Sequence, residues 1–180
     1  MQVSDRNRES RSIAVLALVC AVLQLALAPN VGLGNGRANF ALVFSACVAL
    51  QSGGRRGVVA GFLAGLFFDL STTGPIGLMA FCLSASSFAL GLEERNRMAG
   101  DLASATAHFA VASFAVSLVY HLAMLLVGQA DSLLDVLVFR TLPTAALTFV
   151  FFLPFDYYFS RVHVPSGPSL GGGHFSRRGV

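Results

Sequence analysis

Residues 57–92, GVVAGFLAGLFFDLSTTGPIGLMAFCLSASSFALGL, hold two apolar runs joined by a short turn at Ser71–Gly74, with one carboxylate, Asp69, near the end of the first run. Gly57, Gly61, Gly65 and Asp69 recur every fourth residue and so lie along one inclined row of a helix. Lipid tails give helices no hydrophobic reason to associate; close approach at small residues supplies the attraction instead. The row is therefore expected to be a packing face, turned toward a partner helix or toward another helix of the same chain. An Asp at mid-membrane costs about 2.5–3.5 kcal/mol on insertion scales, which places Asp69 inward or at an interface. The second run carries its own stripe of small residues, Ala80, Ser84, Ser87 and Gly91, and Pro75 suits its first turn, where a missing N–H costs nothing.

The rest of the chain agrees with a membrane setting. Of 180 residues 55% are hydrophobic and only 12% charged, and the mean hydropathy is +0.71. An all-α integral membrane protein is expected, with room for one bundle and no sizeable soluble domain, since a spanning helix takes about 20 residues. The net charge of +3 comes from arginine alone. Those arginines are scattered through short loops, without the basic stripe and interleaved aromatics of a nucleic-acid interface.

Cys20, Cys47 and Cys82 stand singly inside apolar runs, as small core residues do. The sequence has no zinc-ligand spacing, P-loop, G-x-S-x-G elbow or H-E-x-x-H. No catalytic residue, metal or cofactor is expected.

Taken in order, residues 1–11 form a polar, cytoplasmic N-terminal segment with Arg6, Arg8 and Arg11 ahead of the first apolar run. That arrangement imitates a signal peptide, but Pro29 would follow the Ala26–Ala28 cleavage signal, so an uncleaved span is expected. Six spans follow within a membrane domain at 12–158, near residues 12–28, 38–51, 57–70, 75–92, 102–127 and 132–155. The second is short for a span. Pro29–Arg37 reads as a turn-rich connector, and 159–180 as a disordered, basic, Gly-rich cytoplasmic tail. With six spans and a cytoplasmic N-terminus, ten of the twelve arginines fall inside, leaving Arg37 outside and Arg140 in or near the last span. Both termini are then cytoplasmic.

This topology carries Gln24, Asp69, His121 and Arg140 toward the external end as a polar cluster. Asp69 and Arg140 at one depth invite an ion pair between the third and sixth helices. The plain reading is a structural tie; the others are a ligand or partner contact, or catalysis. Asp69 with His121 imitates half a triad, but no serine elbow accompanies them. His108 reads as an interhelical hydrogen-bonding residue, and Pro143 as a kink that frees backbone groups in the last span.

The segment GFLAGLFFDLSTTGPIGLMAF, Gly61–Phe81, with its G-x-x-x-G-L-x-x-D-L run, small turn and P-x-G-L pair at Pro75–Leu78, resembles the hallmark segment of the MreD family of rod shape-determining membrane proteins. FRTLPTA, Phe139–Ala145, is similar to the Arg and Pro pattern that opens the last helix in that family. The resemblance covers about Ile13–Tyr158. It implies a non-enzymatic regulator of cell shape and peptidoglycan elongation that associates with MreC and, through it, with MreB, RodA and a class B penicillin-binding protein. It also implies a six-helix bundle resembling the substrate-binding subunits of energy-coupling-factor vitamin transporters, and such a transport subunit is the alternative function. On the first reading Gly57, Gly61, Gly65, Asp69 and Gly77 make the partner or helix-packing contact. On the second the polar outer cluster is a ligand site.

Overall fold

The computed structural model describes residues 2–52, 54–96, 102–129 and 132–162. Most of the expected disordered tail and part of the charged loop after the fourth apolar run lie outside the described residues. The chain is all-helical: α1 (Gln2–Ala26), α2 (Phe40–Ser52), α3 (Gly54–Ser71), α4 (Leu78–Asn96), α5 (Leu102–Leu126) and α6 (Leu142–Val162), with a π-helical segment, Asp135–Thr141, leading into α6. Among the described residues the one extended feature is a two-residue ladder, β1 (Gly32–Leu33) with β2 (Gly36–Arg37), in the connector between α1 and α2.

The shortest helix is the axis of the bundle. All residues of α2 from Phe40 to Ala49 are buried, and α1, α3, α4 and α6 pack against it. A helix of 13 residues is about 20 Å long, well short of a hydrocarbon core of about 30 Å. Its sequence is apolar on every side, which suits a helix enclosed by protein. Phe40 meets Phe151 of α6 with ring centroids 5.0 Å apart, and Phe109 of α5 stacks on Phe152 of α6 at 3.7 Å.

Among the described residues two stretches, Ser104–Leu126 and Asp135–Tyr158, are long and apolar enough to cross a membrane by themselves; Ser10–Ala26, Phe40–Ser52 and Leu78–Leu92 are shorter apolar helices. The chain is six-helical, and two of the helices among the described residues are of spanning length.

The entry to α6 is built around Pro143. Its ring nitrogen carries no hydrogen, so the carbonyl of Phe139, four residues earlier, receives no helical bond from it. The amide of Asn35 takes that place at 3.1 Å. Gly36 lies so close to Pro143 and Thr144 that a methyl there would meet Pro143 Cβ and Thr144 N at 2.7 Å. A kink expected from sequence thus becomes the seat of the α1–α2 connector.

Candidate functional site

The glycine row faces inward. Gly57, Gly61, Gly65 and Asp69 are all buried. A methyl on Gly57 would lie 2.7 Å from Ala49 Cα of α2, and one on Gly61 would lie 2.7 Å from the Leu83 carbonyl of α4. At Gly65 it would overlap the backbone of Ala80. The three glycines let α3 approach two helices of its own chain at backbone distance. Of the two uses open to this row, partner contact and internal packing, the geometry is internal packing.

Asp69 ends the row and caps the next helix. Its Oδ2 accepts the amides of Gly77 at 2.8 Å and Ala80 at 3.2 Å, and its Oδ1 accepts Met79 at 3.2 Å. These belong to the orphan donors at the start of α4, where the helix dipole also favours negative charge. The turn makes the capture possible through Gly77, whose φ of +97° is one that L side chains rarely adopt. Nothing lies within 4 Å of a Cβ built there, so Gly77 serves conformation and not packing.

The expected ion pair between Asp69 and Arg140 is not formed. Arg140 Nε donates to Asp135 Oδ2 at 3.0 Å, and its Nη1 donates to the Gln129 carbonyl at 3.3 Å. The π-helical turn accounts for the pairing, because residues five apart share a face there. Asp69, its oxygens filled by amides, is compensated without a cation.

The other two members of the expected cluster come together elsewhere. Gln24 and His121 line one cavity of about 310 Å³, with Arg37, Asn39, Tyr120 and Thr144; neither Asp69 nor Arg140 lines it. Gln24 Oε1 accepts the amide of Phe40, the first residue of α2, at 2.8 Å. Asn39 caps the same helix by accepting the Leu42 amide at 3.0 Å, and its own amide donates to Thr148 Oγ1 at 3.0 Å. Arg37 N donates to Thr144 Oγ1 at 3.2 Å, while His121 Nδ1 lies 3.4 Å from Thr141 Oγ1. The polar groups here hold the start of α2 to α1 and α6. His108, expected to bond between helices, contacts Ser104 on its own helix, with Nδ1 2.7 Å from that residue's carbonyl oxygen.

Sequence reasoning missed Asn35, Asn39, Thr144, Thr148 and Asp135. Signals pointed to three of them: Asn39 stands directly before an apolar run, which is an N-cap pattern, and Thr144 and Thr148 are four apart on α6; Asn35 and Asp135 had none. For Asp69 the signal is indirect. The segment before α4, GPIG, offers no Ser, Thr, Asp or Asn of its own to cap the helix.

Among the described residues no group of three or more His, Cys, Asp or Glu could hold a metal ion. No curated protein and no solved structure matches the chain significantly. The model of the rod shape-determining protein MreD matches residues 7–161, a range that contains the glycine row, the capping carboxylate, the α2 core and the Pro143 entry. The chain therefore belongs to the MreD family, a membrane-associated family of rod shape-determining proteins.

Proposed function

We propose that this protein is a multi-pass, non-enzymatic membrane scaffold that couples cell shape to peptidoglycan elongation by helix packing with MreC, and through MreC with MreB, RodA and a class B penicillin-binding protein. The observation that carries the reading is the family match across residues 7–161. A second observation supports it: α1, α5 and α6 expose large apolar side chains, among them Leu18, Val111 and Val150, as helices surrounded by lipid or by other membrane helices do. The glycine row is occupied within the chain, so contact with a single-span partner falls to those outward faces. The chain is read with both termini in the cytoplasm, from the distribution of its arginines.

The test is a pull-down of the tagged full chain from native membranes in mild detergent, paired with its depletion. Recovery of MreC with wall polymerases, and rounding of depleted cells, is the expected result. Recovery of an ATPase pair with no MreC, and unchanged cell shape, would overturn the reading and make the chain a transport subunit.

A further inference from the structure

Among the described residues α1 packs chiefly on α2, and α3 packs on α2 and α4. Between α1 and α3 runs a groove of about 760 Å³ floored by Ala41, Phe44 and Val48 of α2. Its walls are apolar: Ile13, Ala17 and Cys20 on α1, and Ala60, Leu63 and Ala64 on α3. Polar side chains gather at one mouth, where Ser10, Arg55 and Arg56 line it, and both arginines are exposed. At the far end it closes on Gln24 and Phe67, with Gln24 committed to the Phe40 amide.

We infer that this groove seats one anionic phospholipid, its phosphate against Arg55 and Arg56 and its acyl chain laid along the apolar walls. Length favours this occupant. From Ser10 to Gln24 along α1 the groove runs about 21 Å at 1.5 Å per residue, and from Arg56 to Phe67 along α3 about 17 Å. One leaflet of hydrocarbon is about 15 Å deep, whereas a crossing helix needs about 30 Å.

Charge supplies the specificity. Adjacent guanidinium groups present forked donors that match phosphate oxygens, and basic pockets between membrane helices favour anionic headgroups over zwitterionic ones. A lipid held there fills the space between α1 and α3, so its binding stabilises the assembled bundle by mass action.

The experiment uses the full chain purified in mild detergent, stripped of lipid, and titrated with phosphatidylglycerol or with phosphatidylcholine of the same acyl chains. Native mass spectrometry counts the adducts and a thermal scan follows the unfolding midpoint. The expected result is a single retained phosphatidylglycerol, preferred at least ~5-fold over phosphatidylcholine. Arg55→Gln with Arg56→Gln should bring that preference below ~2-fold, and Ala64→Phe, which fills the groove, should remove the adduct of either lipid. Arg37→Gln, in the cavity at the opposite end, should leave the preference unchanged. Equal retention of both lipids, or a preference untouched by the paired arginine substitutions, would overturn the assignment. A photocrosslinker at position 64 that captures a polypeptide and no lipid in native membranes would overturn it as well.

Discussion

Asp69 accepts the backbone amide of Gly77 at 2.8 Å, across a turn that leaves the aspartate 1% exposed. A carboxylate at the end of one helix thereby caps the start of the next. The charge that seemed anomalous in an apolar hairpin is what lets α4 begin inside the bundle. Replacing Asp69 with Ala strands three amides, two of them at buried residues, and should lower stability by about 2–4 kcal/mol. Asn should cost about half as much, because one oxygen in the Oδ2 position still serves Gly77 and Ala80. Thermal unfolding midpoints of purified variants check this order, and Asp69→Ala unfolding with the parent would refute the cap.

Arg140 lies on a different charge. Since it pairs with Asp135 and not with Asp69, Arg140→Gln and Asp69→Ala should act independently. Their double variant should equal the sum of the singles within about 0.5 kcal/mol. Arg140→Gln and Asp135→Asn, by contrast, should be strongly non-additive. A double-mutant cycle that couples Arg140 to Asp69 instead would restore the ion pair that the sequence suggested.

Glycines of the hairpin should fail for different reasons. Gly77→Ala meets no neighbour, so its cost is the backbone strain of φ +97°, about 1–2 kcal/mol, and Asn should be milder than Ala. Gly65→Ala strikes the Ala80 backbone and should cost as much or more through overpacking. Shaving the neighbour separates the cases further. Ala49→Gly should rescue Gly57→Ala in part, since it removes the Ala49 Cβ that the new methyl would meet at 2.8 Å but leaves Ala49 Cα at 2.7 Å. Ala80→Gly should not rescue Gly65→Ala, where the obstacle is main chain. Yield of monodisperse protein and unfolding midpoint are the readouts; equal rescue at both sites would contradict the geometry.

Much of this architecture is visible in the residues and some is not. The four-residue spacing of Gly57, Gly61 and Gly65 announces close packing, because a helix brings every fourth residue to one side. It carries no information about whether the opposing surface belongs to the same chain, and here α2 and α4 supply it. Two opposite charges at one depth, Asp69 and Arg140, suggest a pair when only side-chain charges are compared. Backbone amides at a helix start solvate a carboxylate as well, and they are invisible in a sequence read as side chains. The role of α2 is hidden by its length: residues 38–51 read as a span too short for a bilayer, and only packing from four other helices reveals a core element.

Pro143 should govern the connector on the far side of the bundle. With Ala at 143 an amide hydrogen returns to compete for the Phe139 carbonyl now held by Asn35. The Gly32–Arg37 turn should loosen, and hydrogen exchange at the Asn35 amide should speed up several-fold while amides in the middle of α2 keep their protection. Unchanged exchange at Asn35 would show that the turn is held by Gly36 and Thr144 without that bond.

Gln24 offers the cleanest separation between a structural and a ligand-binding role for the cavity it lines with His121. Its Oε1 is the acceptor for the Phe40 amide, and Phe40 is fully buried. Gln24→Leu leaves that donor without a partner in an apolar core and should cost about 1–3 kcal/mol. Gln24→Glu keeps an oxygen at the same reach and should preserve the bond, at the cost of placing a charge where Gln24 is 8% exposed. His121 and Arg37 line the same cavity but do not cap α2. If the cavity serves only to hold the helix, His121→Ala and Arg37→Gln should leave cell shape intact and Gln24→Leu should disturb it in proportion to lost protein. If all three variants stay folded at parental levels and all three round the cells, the cavity is doing more than capping a helix, and a bound molecule there becomes the simplest account.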